Sequence, residues 1–524
     1  MGVLRVVGDV TGLGHEEAVA DQTSRRTEEL PYPHRLTRWG VDNALRGLRW
    51  HRGDLARTQD PSGWMERRGS GSTTGASVNA DGRFSPGTAV PEIPAGLMVT
   101  SLYQPVVDLS TRALVGYEAL ARGPAGTVWE SPTALFESAR AHGTVGQLDW
   151  MCRISAFRGA LEANLPADLQ LFVNMEPGAM SVPTPPDGLD VLADAARLSV
   201  VVEITERDLL IDPAALLDSI DRVREQRWLI AIDDVGAETA SLALLPFIRP
   251  DIIKLDMRFS QQRADSDTAR ILAAVSAESD RTGAVVLAEG IETENHLASA
   301  RDLGATLGQG WLFGRPSDLP VRERRADTVR PDLPRHAPFG LGVTQRIPSA
   351  ATPFALAKAT GGLRRATISL VGTIVDEIAR YALATGPSTI VLATMPTNMV
   401  PNDEQVGRMA DLARTGALLA IFGRSASAMA SGITGVHGMD MAESDPLARE
   451  LCVIVVSPQF TAAVLACEVG GDGNRETEPL FDYRLTYDRD IVLDAATMLL
   501  HRTLPTPASP GSGSLPVFGR RGNG

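Results

Sequence analysis

Short apolar runs rich in β-branched residues, each closing on an acid or an amide, recur over residues 115–122, 171–174, 200–206, 229–234, 252–256 and 285–292. Their length and composition predict buried strands. Between them lie stretches with helical periodicity at 132–141, 154–163, 214–226 and 268–282. Strand and helix alternating in this order predict β-α units around a parallel sheet. Counted from 101–104 through 308–313, the strands of residues 98–320 number roughly the eight of a (β/α)8 TIM-type barrel. A single acid at a strand end is weak evidence, because strands often stop at a solvated charge. Repetition changes its weight, since the strand C-termini of such a barrel share one face.

A second, smaller α/β unit is predicted over 361–504. It has helices at 368–384, 403–415 and 490–504, and buried strands at 389–393, 418–422 and 451–456. Residues 1–97 lack periodicity and read as a poorly structured region and linker, Gly-, Ser-, Thr- and Pro-rich over 67–94. Within them Arg35, Arg38, Arg46, Arg49 and Arg52 interleave with Trp39, Leu45, Leu48 and Trp50 in the pattern of one short amphipathic helix. Residues 321–360 are expected to be a linker and 505–524 a disordered tail.

Composition narrows the function class. A net charge of -14 over 524 residues argues against a nucleic-acid polymer as partner. Cys152, Cys452 and Cys467 offer no C-x-x-C spacing, so neither a disulfide framework nor a thiolate zinc site is indicated, and a reducing cytoplasm is the expected home. No apolar run approaches the roughly 18 residues of a membrane helix, so a soluble protein is expected. Lys254 and Lys358 are the only lysines among 50 Lys and Arg. Lys358 falls in a loop-like stretch and reads as chance survival. Lys254 sits inside an apolar run, where a compact ammonium does what the planar fork of Arg does not.

Glu118, Asn174, Glu203, Asp233, Asp234 and Glu289 would converge on the open face of the barrel. That set holds oxygen ligands without clustered thiols or imidazoles, which favours Mg²⁺ or Mn²⁺ over zinc. Six groups exceed the need of one ion, and the adjacent Asp233 and Asp234 let one carboxylate bridge while its neighbour serves a second ion. Two ions about 3.5–4 Å apart suit in-line attack on a phosphodiester. Lys254, one strand further on, would hold or orient the attacking water.

The order and spacing of these residues resemble the EAL-domain phosphodiesterases. The resemblance covers residues 101–316 and rests on Gln104-Pro105, Glu118-Ala119-Leu120 with Arg122, Phe172-Val173-Asn174, Glu203-Ile204-Thr205-Glu206, Asp233-Asp234, Lys254-Leu255-Asp256, Ala288-Glu289-Gly290-Ile291-Glu292-Thr293, and Gln309-Gly310 ahead of Phe313-Gly314-Arg315-Pro316. It implies hydrolysis of cyclic di-GMP to linear pGpG with two divalent cations. Glu118, Asn174, Glu203 and Asp233 would hold one ion, and Asp233, Asp234 and Glu289 the other. Glu118, Lys254 and Glu289 would carry the chemistry, and Gln104, Arg122 and Asp256 would face the substrate. Gln309 would complete the water or metal shell, while Glu206 and Glu292 would support neighbouring loops.

One segment departs from the family pattern. Where the family reads Asp-Asp-Phe-Gly-Thr-Gly-Tyr-Ser-Ser-Leu, this chain has Asp233-Asp234-Val235-Gly236-Ala237-Glu238-Thr239-Ala240-Ser241-Leu242. Glu238 replaces a glycine and is expected to alter the pose of the loop and to repel Glu292. That loop is associated in the family with activation and with a homodimer through the barrel, so dimer mode and basal rate are expected to change before metal binding does. The alternative reading is a catalytically weak or inactive cyclic di-GMP receptor signalling by protein contacts. A barrel hydrolase for another phosphodiester is a third. Residues 361–504 resemble the DICT domain, a sensory module whose ligand or protein partner the sequence does not name. Regulation of the barrel by this unit is therefore expected.

Overall fold

The computed structural model describes residues 78–503 except 80–81, 86–88, 177–178, 180–181, 207–208, 237, 262–265, 321–351 and 470–477. The amphipathic stretch around Trp39, most of the 1–97 region, most of the 321–360 linker and the 505–524 tail lie outside the described residues.

Eight strands close into a barrel in chain order. They are β1 (Thr100–Asp108), β2 (Leu114–Arg122), β3 (Gln170–Met175), β4 (Ser199–Thr205), β5 (Leu229–Val235), β6 (Ile252–Leu255), β7 (Val285–Ala288) and β8 (Leu307–Gln309). Helices α1 (Pro132–His142) and α2 (Val145–Glu162) follow β2; α3 (Leu189–Ala195), α4 (Pro213–Glu225) and α5 (Leu245–Ile248) follow β3, β4 and β5. After β6 come α6 (Met257–Gln261) and α7 (Ser266–Thr282), and after β7 comes α8 (Glu294–Asp302). Local chemistry marks the helix ends: Pro132 opens α1 and Gly143, at φ 69°, closes it. Asp212 caps α4 by accepting from the Ala215 N–H.

β1 corrects the expected (β/α)8 pattern. It pairs antiparallel with both β2 and β8, whereas β2 to β8 are parallel. Residues 109–113 join β1 to β2, too short a stretch for the crossover a parallel pair requires, so the chain turns back as a hairpin.

One apolar residue from each strand fills the barrel interior: Val106 and Val115, Phe172 and Val201, Ala231 and Ile252, Leu287 and Leu307 form a single buried cluster. Side chains alternate with period two, so the next inward position towards the mouth lies two residues on. That step lands on Asn174, Glu203, Asp233, Lys254, Glu289 and Gln309. The reversed β1 arrives at the same level two residues earlier, at Gln104. β2 takes one extra residue because its register with β1 shifts at Val106/Val107, and reaches that level at Glu118, the partner of Gln104. The polar layer therefore rests directly on an apolar plug.

A buried ion pair braces this layer from outside. On α2, Arg153 donates from Nε to Asp149 Oδ2 at 2.7 Å and stacks on the Trp150 ring at 3.8 Å, with both charged side chains 2% exposed. Asp149 also accepts the Glu176 N–H at 2.8 Å, immediately after the strand that carries Asn174. Arg153→Met would strand a buried carboxylate, so we expect a loss of about 3–5 kcal/mol in denaturant unfolding. A loss below about 1 kcal/mol would show that the pair is not braced as described.

Residues 89–97, placed by sequence in the unstructured region, instead pack Val90, Ile93 and Leu97 against the Trp129 and Leu135 cluster. Apolar residues every three to four positions give this segment something to bury. The last part of the expected linker is likewise structured, forming α9 (Pro353–Thr360), which carries Lys358 in its last turn and is capped by Thr352.

The second unit continues with β9 (Arg364–Thr367), α10 (Ile368–Thr385), β10 (Ile390–Thr394), α11 (Asp403–Thr415), β11 (Leu418–Gly423) and α12 (Ala426–Ala430). It ends with β12 (Val436–Asp440), β13 (Glu450–Val456), β14 (Thr461–Glu468), β15 (Leu480–Thr486) and α13 (Arg489–Leu500). Its seven-stranded mixed sheet runs β12-β11-β10-β13-β14-β15-β9. Alternation along the strands divides its two faces. Ile390, Leu392, Ile454 and Val456 share one apolar core with α13 and the outside of the barrel. Val391, Val453 and Val455 face α10 and α11.

Polar contacts reinforce the junction between sheet and barrel. Ser388 donates from Oγ to the Thr239 carbonyl at 2.7 Å, in the loop after β5. Arg281 reaches the Pro458 carbonyl at 3.3 Å, and the buried Glu278 lies 3.8 Å from Arg489. No helix among the described residues is long and apolar enough to cross a membrane.

Candidate active site

Lys254 is the centre of the polar layer. Its Nζ lies 2.7 Å from Glu203, 2.8 Å from Asp233, 2.8 Å from Glu289 and 3.7 Å from Glu118. An ammonium has three donors, so four carboxylates cannot all be satisfied by it. The geometry reflects that excess: Lys254 Nζ, Glu203 Oε1 and Asp233 Oδ1 are buried in close charge contact but make no well-aligned hydrogen bond. Burial works to strip Lys254 of its proton, yet the surrounding acids, Asp233 foremost, hold its pKa well above the ordinary lysine value. Burial first, with neighbouring acids adding to it, pushes the Glu203 and Glu289 carboxyls well above the usual range against the pull of Lys254.

Amides complete the ring. Asn174 Nδ2 donates to Glu118 and Glu203 at 3.2 Å each, and Gln309 Nε2 donates to Glu118 at 2.7 Å and to Gln104 at 3.3 Å. Gln104 in turn donates to the Gly314 carbonyl at 3.2 Å. Gln309 Oε1 is buried with no hydrogen-bond partner.

Asp234 joins the cluster through an irregular backbone. In a regular strand Asp233 and Asp234 would face opposite sides. Here the β5–β6 register shifts between Ile232 and Val235, and Asp234 takes a left-handed φ of 55°. Asp233, Asp234 and Glu289 thereby bring carboxylate oxygens within 4.8 Å of one another.

This arrangement fits divalent cations. Four acids surround one ammonium and Asp234 lies beside two of them, the donors are hard oxygens, and Gln309 keeps a buried acceptor unused. Asp233, Asp234 and Glu289 are the acids whose oxygens could hold one ion together. Glu118, Glu203, Asp233 and Asn174 would hold a second only with the Asn174 amide presenting its oxygen in place of its nitrogen.

Glu206 is buried and holds the loop after β5, accepting the N–H groups of Gly236 and Glu238. Burial raises its pKa to about 7 despite these bonds, and Glu238 adds to the rise. Glu238 thus meets a like charge at Glu206. Gly236 is required here: at φ 106° a Cβ would meet the Phe259 ring at 2.4 Å.

Arg122 lies at the end of β2, donating to the Ala121 carbonyl at 2.7 Å, and burial lowers its pKa while Glu118 and Glu130 raise it. Asp256 accepts the Arg258 N–H at 2.8 Å at the start of α6, and the Glu292 side chain is exposed. Neither belongs to the carboxylate cluster.

Three features escaped the sequence. Ser260 and Gln261 donate to the carbonyls of Glu289 and Gly290 at 3.0 and 2.8 Å, pinning the end of β7. Trp311, 52% exposed two residues beyond Gln309, carries the Arg315 guanidinium over its ring at 3.8 Å. Only the proximity of Trp311 to Gln309-Gly310 could have drawn notice to it.

Residues 98–316 match the family model described as the EAL domain. PdeG of Escherichia coli K12, a probable cyclic di-GMP phosphodiesterase, is 29% identical over 226 residues, 42% of this chain and 44% of that protein. RocR of Pseudomonas aeruginosa, a cyclic di-GMP phosphodiesterase, is 30% identical over 221 residues, 41% of this chain and 56% of that protein. The structure of BlrP1 from Klebsiella pneumoniae with manganese and cyclic di-GMP is 29% identical, covering 43% of this chain and 58% of that one at a TM-score of 0.37. The chain thus spans about half the length of these relatives.

Proposed function

We propose that the barrel is a two-metal phosphodiesterase that hydrolyses cyclic di-GMP to linear pGpG, and that the second unit tunes its rate. The observation that carries this reading is the gathering of four carboxylates around one buried ammonium, with Asp234 beside two of them, more acids than one ammonium can match. The two ligand sets would hold Mg²⁺ or Mn²⁺, which when bound would supply Lewis acidity for attack on a phosphodiester.

The residues of the chain do the positioning. Lys254, fixed by the acids around it, orients the attacking water. Gln104, held by Gly314 and Gln309, and Arg122 bind phosphate oxygens, the guanidinium with its paired donors. Asp256 faces the substrate rim, and Trp311 offers a guanine base a stacking surface. One water adds to phosphorus as one ester P–O bond breaks, and the released 3′ oxygen takes a proton. Asp149–Arg153, Ser260 and Gln261 keep the strand ends from moving under the ligand. The Ser388 contact to the Thr239 carbonyl is the route by which the second unit would reach the loop held by Glu206.

The test is chromatographic turnover of cyclic di-GMP by the full chain with Mg²⁺ or Mn²⁺. We expect metal-dependent pGpG formation and a fall of about 100-fold or more in Glu118→Gln. Ser388→Ala should shift the rate by about fivefold, the weight of one buried hydrogen bond. Tight nucleotide retention without product under either metal would sink the enzyme reading in favour of a receptor, and an unchanged rate in Ser388→Ala would remove the proposed route of regulation.

A further inference from the structure

We propose that the cleft between α10, α11 and the sheet of the second unit is a binding site for a neutral, predominantly apolar small molecule. The cleft encloses about 100 Å³ and is open to solvent on one side. One water needs roughly 10–15 Å³ on the same measure, so the cleft has room for a guest of several heavy atoms. Its floor is the sheet face carrying Val391, Ala393, Leu419 and Ile421, and Ala379 of α10 and Met409 of α11 stand in its walls.

The gap is a packing deficit confined to one side of the sheet. On the barrel side α13 buries six of its 12 residues, among them Val492, Leu499 and Leu500. On the cleft side α11 buries one residue of 13, Leu412. Protein interiors otherwise pack to the density of organic crystals, so an apolar gap between two helices and a sheet leaves room for a guest. Met395, Met399 and Met409 line it with flexible, polarizable side chains that adapt to the outline of a guest.

The mouth decides the charge of the guest. Arg408 spans it, 3.1 Å from Asp376 on α10 and 3.5 Å from Glu404 on its own helix. Its charge is already more than matched. An anion would meet two acids and would have to break the Arg408–Asp376 bridge to gain a partner, and a cation would compete with Arg408 for Asp376. A neutral molecule with one polar group hydrogen-bonds to the bridge at its edge and leaves it intact.

The inference stands apart from the chemistry of the barrel and is tested by binding alone. The probes are N-phenyl-1-naphthylamine, which is neutral, and 8-anilinonaphthalene-1-sulfonate, the same skeleton with a sulfonate, titrated by fluorescence into the full chain. We expect saturable binding of the neutral probe, one molecule per chain, and binding of the sulfonate weaker by about tenfold or more. Ala379→Leu and Ala393→Leu each fill the cleft and should weaken the neutral probe by about tenfold, with the thermal midpoint unchanged or raised. The midpoint separates a filled cleft from a misfolded protein, and two fills from different walls guard against the failure of one. Absence of saturable binding, binding that survives both fills in folded protein, or tighter binding of the sulfonate would overturn the proposal.

Discussion

Lys254→Met is expected to lower turnover of cyclic di-GMP by about 100- to 10,000-fold, the range for loss of a group that orients or activates the nucleophile. Its Nζ is the cation within 2.8 Å of Glu203, Asp233 and Glu289, so the effect extends beyond kinetics. Removing one partner from a buried charge cluster costs about 3–5 kcal/mol, because the remaining acids are left unpaired. Metal-free Lys254→Met should therefore unfold earlier than the parent, and Mg²⁺ should recover more stability in the variant than in the parent. Lys254→Arg should not rescue turnover, since a planar fork does not fit a pocket shaped around a 1%-exposed ammonium. Turnover within about threefold of the parent would remove Lys254 from the mechanism.

The second large effect is on stability against pH. Glu203 and Glu289 have folded pKa values raised well above 4.5. The native state therefore binds more protons than the unfolded chain at pH values between the unfolded and folded pKa. The stability this gives is fully present below about 4.5 and is lost as pH rises through the raised values. In EDTA the unfolding free energy should fall with pH by about 1.4 kcal/mol per unit for each proton released. Saturating Mg²⁺ should flatten that slope and add about 3 kcal/mol at a hundredfold excess over its dissociation constant. Parallel curves with and without Mg²⁺ would show that the carboxylates do not hold the ion.

Much of the barrel was legible because its strands repeat one pattern, an apolar run ending in an inward polar residue. The period of two places Glu203, Asp233 and Lys254 above Val201, Ala231 and Ile252. What the pattern does not carry is direction. β1 is as apolar as its neighbours, and only the shortness of residues 109–113 reverses it. Nor does proximity in sequence settle orientation: Asp256 and Glu292 follow strand ends as closely as the cluster acids do, yet one receives the Arg258 N–H and the other is exposed. In the second unit β14 (Thr461–Glu468) was missed because three of its first six residues are alanine, a weak strand former whose burial comes from tertiary packing. The cleft was illegible for a related reason: α11 shows the periodicity of a helix whether or not the space beneath it is filled.

The reversed β1 also has a mechanical consequence. Thr100 pairs with Arg122, so the chain enters the barrel at the end that carries the acids. Gln104 is four residues from that entrance. Traction on residues 89–99 that slipped β1 by one position would displace Gln104 by about 3.3 Å and turn its side chain from the lumen to the outer wall. Gln309 would lose a neighbour and the proposed phosphate contact its donor in the same movement, with the carboxylate cluster left in place. The hairpin register would thus be a handle by which force on the upstream polypeptide disables the proposed substrate capture without touching the proposed cation ligands.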